Sequence, residues 1–203
     1  MKLLDTTGGN TKIAKTQALT AGIRLAQLSL HPDNELCPGS KAAQCIDDCL
    51  LYSGLAAVYD SVNEARARKA EFFKTDQSGF LEQLRRELHN FLKLCAKLGL
   101  TPWVRLNVLS DVAFEKHGIP QEFPQLNFYD YTKRAARLLK TPANYHLMFS
   151  YSGAAKYHNQ VLKAFETGVP IATVFRGPMP ETFLGREVVN GDQSDLLNLS
   201  QPG

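Results

Sequence analysis

The sequence predicts an α/β fold with a mostly parallel sheet, in which strands alternate with helices within one domain spanning residues 1–203. The first observation is a pair of long stretches with apolar residues at helical spacing, at 41–74 and 80–98. The second is a change of texture after residue 100, where short apolar runs alternate with polar and helix-forming segments. Strands separated by helices pair in parallel through right-handed crossovers, and such a sheet, if it curls, forms a partial (β/α) barrel.

The first half of the chain is predicted to supply one strand and two helices. Residues 23–30 form an apolar run that ends before Pro32, as expected of a strand entering the core. Residues 41–74 contain no proline and repeat apolar residues at helical spacing. A second helix is predicted at 80–98, with Gly99 as its stop signal. Its apolar stripe comprises Leu81, Leu84, Leu88, Leu92 and Cys95.

The second half of the chain is predicted to supply the remaining strands. Each is a short run rich in β-branched and aromatic residues that ends in a polar group or glycine. A helix is predicted at 154–167, between the third and fourth of these strands. The predicted strands are 103–109, 126–131, 145–150, 169–175 and, more weakly marked, 186–189.

Composition excludes several classes of protein. The 203 residues carry a net charge of +3, 44% apolar and 21% charged residues, which are ordinary values for a globular domain. The charge excess is too small to indicate nucleic-acid binding by itself. No apolar run approaches the roughly 18 residues needed to span a bilayer, and the amino terminus lacks a signal-peptide core. We therefore expect no membrane association and a cytoplasmic location, where thiols stay reduced.

Three clustered cysteines are the strongest chemical signal in the sequence. Cys37, Cys45 and Cys49 fall within a loop at 31–49, and the last two are one helical turn apart. Thiolates suit iron–sulfur clusters and zinc, and three of them on a [4Fe–4S] cluster leave one iron open to a small molecule. Zinc would need a fourth ligand, for which His31 is the nearest candidate. Buried bystander thiols and a redox disulfide are the alternatives.

Polar residues follow the predicted strands and are candidates for a site at one edge of the sheet. Lys133 can orient a carboxylate or phosphate, Tyr131 can donate a proton, and Arg105, if it points inward, needs a buried anion. The Thr132–Arg134 stretch is equally explained as a cap for a helix at 133–139. The candidate catalytic residues are Asp111, Tyr131 and Lys133, and the candidate cofactor-binding residues are Arg105, Ser150 and Arg176.

The order of strand, cysteine loop, helix and repeated strand–helix units resembles the partial barrel of radical S-adenosylmethionine enzymes. Those enzymes space their cysteines as C-x3-C-x2-C, whereas this chain has C-x7-C-x3-C. The resemblance implies a [4Fe–4S] cluster and S-adenosylmethionine as cofactors.

A closer resemblance, over about residues 10–195, is to phage and plasmid proteins of the gene-product-88 type. It implies no particular activity, and it leads us to expect further strand sequence after Gly203. The matching positions are Ser29-Leu30 before Cys37-Pro38, Cys45-x3-Cys49 with Gly54, Val104-Arg105 with Ser110-Asp111, and Tyr131-Thr132-Lys133.

Three functional hypotheses follow. In the first, an enzyme of a phage or mobile element uses a [4Fe–4S] cluster to activate a small-molecule ligand, with S-adenosylmethionine as the candidate. In the second, zinc pins the cysteine loop of a non-catalytic binding or regulatory protein. In the third, Tyr131 or Tyr129 is the nucleophile of a nucleic-acid enzyme. Nucleic acid is only weakly indicated, since the basic residues Arg66, Arg68 and Lys69 fit a solvated helix face.

Overall fold

The central feature of the fold is a six-stranded sheet. The computed structural model describes residues 1–6, 17–26, 36–46 and 58–191. The strands are β1 (Leu4–Thr6), β2 (Ala18–Ile23), β3 (Thr101–Arg105), β4 (Asn127–Thr132), β5 (Tyr145–Ser150) and β6 (Ile171–Ala172).

The strands lie side by side in chain order. β1 runs antiparallel to β2, with Leu4 opposite Ile23, and every pairing from β2 to β6 is parallel. The predicted α/β class with a mostly parallel sheet is therefore confirmed. Parallel strands that neighbour one another in chain order are also how successive strands of a (β/α) barrel are arranged. This order brings the carboxyl ends of β2 to β6 to a single edge of the sheet.

Helices connect the parallel strands. The predicted second helix is confirmed as α2: the Asp76 carboxylate accepts from Gly79 N at 2.8 Å at its start, and Gly99 ends it in the left-handed conformation. Within the described ranges, no helix combines the length and apolar character that crossing a bilayer requires. The α-helices are α1 (Asp60–Thr75), α2 (Gln77–Leu98), α3 (Ile119–Glu122) and α4 (His158–Glu166), and 3-10 helices cover Phe114–His117, Ala135–Lys140 and Ala155–Tyr157.

The apolar stripe of α2 packs into the main hydrophobic core. Phe80, Leu84 and Leu88 are completely buried, in the same cluster as Val104 of β3 and Phe128 of β4. Burying a side chain of this size stabilises the fold by about 1.5–3 kcal/mol. The stripe therefore fixes which face of α2 meets the sheet.

The strand predicted at 23–30 is wrong over its described part. The strand is β2, which ends at Ile23, and residues 24–26 are not paired in the sheet. Leu25 and Ala26 are nevertheless completely buried, and Ala26 N donates to Arg66 O of α1 at 3.1 Å. The apolar run indicates burial beneath α1 and not sheet pairing; residues 27–30 lie outside the described residues.

The helix predicted from residue 41 is also wrong at its start. Residues 36–46 form a series of turns, because Gly39 and Gln44 have φ values of 94° and 55°, which an α-helix does not contain. Residues 47–57 lie outside the described residues, and α1 begins only at Asp60. Within the predicted helix at 41–74, the part from Asp60 onward is confirmed as α1, and the part at 41–46 is wrong.

The last two predicted strands are shorter or differently paired. The run at 169–175 contributes only the two residues of β6. The run at 186–189 does not join the main sheet; it forms a separate antiparallel pair, β7 (Thr182–Phe183) with β8 (Arg186–Glu187). Leu184 and Gly185 both have positive φ, as a two-residue hairpin turn requires.

Candidate functional site

Residues 36–46 are the described part of the predicted cysteine loop at 31–49, and they lie against the carboxyl edge of the sheet. The Cys37 thiol donates to Leu109 O at 3.2 Å, beyond the end of β3. Ser152, beyond the end of β5, donates from its hydroxyl to Ala43 O at 2.8 Å. The loop is therefore held at two points on the edge where ligands of parallel sheets usually bind.

Two of the three clustered cysteines are in the described part of this loop. Cys37 and Cys45 are half-buried, and the Cys45 thiol is 3.7 Å from Ser40 O. Cys49 and His31, the candidate fourth zinc ligand, lie outside the described residues. Among the described residues there is no group of three or more His, Cys, Asp or Glu that could hold a metal ion. The three-cysteine ligand set thus stays a prediction.

Lys133, the first residue after β4, binds the two residues just before Ser152, where the cysteine loop is attached. Its Nζ donates to Ser150 O at 3.1 Å, to Ser150 Oγ at 3.0 Å and to Tyr151 O at 3.1 Å. Burial lowers the pKa of the Lys133 ammonium, and the charges of Cys45 and Asp111 oppose that shift. The structure therefore brings Lys133 and Ser150 together. The three oxygens that accept from the ammonium in the described residues are neutral.

Asp111 has a different environment from that of an exposed catalytic acid. Its buried carboxylate accepts from Thr132 Oγ1 at 2.8 Å and Lys133 N at 3.1 Å, and pairs with Arg137. Arg134 Nε lies 3.6 Å from the same carboxylate. Burial raises the pKa of Asp111, and the two guanidinium groups oppose that shift. With so many protein partners, the carboxylate is suited to fixing the ends of β3 and β4.

Arg105 and Tyr131 are brought together at the ends of β3 and β4. The Arg105 guanidinium stacks over the Tyr131 ring, 4.7 Å from its centroid. Arg105 Nε lies 3.9 Å from Oδ1 of Asp130, which is completely buried and is the anion that an inward arginine needs. Tyr129, the alternative nucleophile, is buried against Trp103, with ring centroids 6.1 Å apart.

A buried polar network around Asp130 lies behind the site, and the sequence did not predict it. Asp130 accepts from Asn107 N at 2.8 Å, Asn107 Nδ2 at 3.0 Å and the Tyr145 hydroxyl at 2.5 Å. Arg137 Nη2 in turn donates to Tyr145 at 3.1 Å, and Arg137 forms two hydrogen bonds with Glu115. Burial raises the pKa of Asp130 to about 6. The signal in the sequence is Asp130 itself, which stands between two tyrosines in a predicted strand and would need polar partners if buried.

A cavity of about 490 Å³ opens between the ends of β4 to β6 and the β7–β8 hairpin. Tyr131 and Met148 line its wall on the sheet side, and Phe165 and Phe183 contribute aromatic rings. A volume of this size is within the range of small-molecule sites. Arg176 is exposed and is not among the residues lining the cavity, so the structure does not bring it to the same place as Tyr131.

These features define a mostly parallel α/β protein with a cysteine loop attached to the carboxyl edge of its sheet, a half-buried lysine at the same edge, and a cavity with aromatic walls at the ends of β4 to β6. The chain belongs to the gene product 88 family, a phage-type family whose model matches residues 1–201. No curated protein and no solved structure matches the chain. The comparisons therefore support the gene-product-88 resemblance and add nothing to the resemblance to radical S-adenosylmethionine enzymes.

Proposed function

We propose that this protein binds a [4Fe–4S] cluster through Cys37, Cys45 and Cys49 and uses it to activate a small molecule. The observation that carries the proposal is the attachment of the cysteine loop to the carboxyl edge of the sheet, through Leu109 and Ser152. A loop that carries soft ligands and is held at that edge is suited to presenting a cofactor to the sheet's ligand site.

The electrostatics of the edge support thiolate ligands. A [4Fe–4S] cluster held by three thiolates keeps one iron that can accept a donor atom from a small molecule. Such a cluster with its thiolates is anionic, so a neighbouring cation favours it. The ammonium of Lys133 meets this need, because its hydrogen-bond acceptors among the described residues are neutral and it binds the residues next to Ser152, to which the cysteine loop is attached.

The aromatic cavity is the site we propose for the small molecule. Its walls of aromatic and thioether side chains offer apolar contact, and Tyr131 presents a phenol at its sheet side. S-adenosylmethionine is the first ligand to test, on the strength of the sequence resemblance. Within this proposal Arg105 holds Tyr131 in place through their stacking, and Lys133 together with Ser150 orders the strand ends.

Metal analysis of protein purified without oxygen tests the cluster. We expect brown protein with about four irons and four sulfides per chain and broad absorption at the blue edge of the visible. Cys45→Ser should lose most of the iron. Cys95→Ala is the matched control and should keep it, because Cys95 is buried within α2 and not part of the cysteine loop. Colourless wild-type protein with one zinc per chain would overturn the proposal.

Ligand binding is tested separately on the iron-loaded protein. Isothermal titration with S-adenosylmethionine should give a one-to-one complex that weakens in Tyr131→Ala. Tyr59→Ala, which alters an exposed tyrosine just before α1, should leave the affinity unchanged. If the two variants bind equally well, the ligand does not occupy the cavity.

A further inference from the structure

The cysteine loop is attached to the sheet edge by contacts on both sides of its turns. On one side, Asp111 N donates to Leu36 O at 2.7 Å, and the Cys37 thiol donates to Leu109 O. On the other side, the Ser152 hydroxyl donates to Ala43 O. The first attachment depends on the main chain around Leu109 and Asp111, whereas the second depends on one side chain. The Ser152 hydrogen bond is therefore the attachment that a single side-chain substitution removes.

The Ser152 hydroxyl is held in the orientation that this contact requires. Ala154 N donates to Ser152 Oγ at 3.2 Å, so the oxygen accepts from one side and its own proton points to Ala43. Ala43 is itself buried, with 4% of its surface exposed, so its carbonyl cannot turn easily to water. The hydrogen bond therefore joins two well-ordered groups.

The position of Ser152 is in turn tied to Lys133. The ammonium of Lys133 binds Ser150 and Tyr151 O, the residues that lead into Ser152. Ala43 O, the acceptor of the Ser152 bond, is two residues before Cys45. One continuous set of contacts thus runs from Lys133 through Ser152 to the segment that carries the Cys45 thiol.

We propose that Ser152 is a positioning residue that holds the Cys45 thiol beside the Lys133 ammonium. The inference rests on the proposed function where it concerns a cluster, because a cluster needs its thiols at fixed positions. It also applies to the protein without a cluster, where loss of the Ser152 hydroxyl lets the loop segment around Cys45 move away from the edge.

Alkylation of cluster-free protein tests this directly. Cys45 modification by iodoacetamide is followed by mass spectrometry in the wild type, Ser152→Ala and Ser152→Thr. We expect about a fivefold faster reaction in Ser152→Ala, as for loss of one hydrogen bond, and a wild-type rate in Ser152→Thr, which keeps the hydroxyl. The rate at Cys95, buried in α2, should not change in any variant.

Thr167→Val is the matched control. Like Ser152, Thr167 accepts from the N–H two residues on, at 3.4 Å, but its hydroxyl donates to Ala164 O at 2.6 Å, at the end of α4 and not to the cysteine loop. The variant should lower the melting temperature without changing the Cys45 rate. Equal Cys45 rates in Ser152→Ala and Thr167→Val would overturn the inference.

The cluster provides a second measurement. In iron-loaded protein, Ser152→Ala should change the electron paramagnetic resonance spectrum of the reduced cluster, whereas Thr167→Val should not. Wild-type protein that binds no iron would refute the proposed function and leave the alkylation result standing. Iron-loaded protein with unchanged alkylation in Ser152→Ala would refute only the role of Ser152.

Discussion

Arg137 offers the sharpest test of how the site is supported, because its guanidinium joins two buried carboxylates. Its side chain is 3% exposed and binds Glu115 through Nε at 2.9 Å and Nη2 at 2.8 Å, besides its pairing with Asp111. Replacing it by methionine keeps much of the volume, leaves Glu115 without its arginine partner and leaves Asp111 with Arg134 alone. Breaking a buried pair in this way costs about 3–5 kcal/mol.

The chain contains a matched exposed pair. Arg85 binds Glu122 in the same two-pronged manner, at 2.5 and 2.7 Å, but the two side chains are 35% and 42% exposed. Removing one partner of an exposed pair costs only about 0–1 kcal/mol, because water replaces it. Arg85→Met should therefore be nearly neutral, whereas Arg137→Met should be strongly destabilising.

Urea unfolding followed by circular dichroism measures the difference. With a slope of about 2–3 kcal/mol per molar urea for a protein of this size, Arg137→Met should lower the midpoint by about 1–2 M. Arg137→Lys, which keeps the charge but loses the two-pronged geometry, should fall between this variant and the wild type. If Arg137→Met and Arg85→Met differ by less than about 1 kcal/mol, the buried network does not hold the edge together.

Two further predictions concern Asp130 and Gly99. Burial raises the pKa of the Asp130 carboxyl from 3.8 to about 6, so the folded protein holds this proton more tightly than the unfolded chain does. The stability of the wild type relative to Asp130→Asn should therefore be greatest below pH 4. It should decrease by about 3 kcal/mol as the pH rises through 6. Urea midpoints at pH 4 and pH 7 measure this, and a difference that does not change with pH would contradict it. Gly99→Ala should lower the melting temperature by about 2–4 °C. Gly99 ends α2 with a φ of 65°, a conformation that costs a residue with a Cβ about 1 kcal/mol. An unchanged melting temperature would show that α2 ends equally well without glycine.

The parts of the fold that the sequence predicts well are those decided by local pattern. The stripe at 80–98, with Gly99 as its stop, leads directly to α2. The run at 145–150 matches β5 residue for residue, because it is both apolar and bounded by turn residues. In these segments periodicity, burial and end signals all agree, so no long-range contact is needed to choose between structures.

The cysteine loop could not be predicted in this way. Its second half, residues 41–46, contains no proline and continues into a helical pattern, yet Gly39 and Gln44 adopt left-handed conformations. The loop instead makes its contacts with Leu109 and Ser152, which are distant in the sequence. Tertiary contacts of this kind override a weak helical preference, and a single sequence does not reveal them.

The location of the candidate site at the strand ends could be predicted from the sequence, but the hydrogen-bond partners of its side chains could not. The polar residues after β3, β4 and β5 follow from the strand ends, and the parallel order brings Asp111, Lys133 and Ser150 to one edge. Which of them binds which depends on strand register and side-chain direction. For this reason Asp111, predicted as a catalytic residue, is held by Arg137 and Thr132, and the network around Asp130 was missed.

The charge arrangement at the carboxyl edge bears on the anionic cluster that we propose for the cysteine loop. Asp111 is neutralised within the protein by Arg137 and Arg134, and Glu115 by the same Arg137. Within the described residues, the hydrogen-bond acceptors of the Lys133 ammonium are the neutral oxygens of Ser150 and Tyr151, so none of these hydrogen bonds cancels its charge. This positive charge lies at the edge to which the cysteine loop is attached, in a half-buried place where water screens it weakly. Under the cluster binding that we propose, this charge favours the anionic thiolates. Lys133→Met should then lower the iron content measured after anaerobic loading, while Lys133→Arg keeps part of it, and an iron content equal to that of the wild type in Lys133→Met would contradict this role.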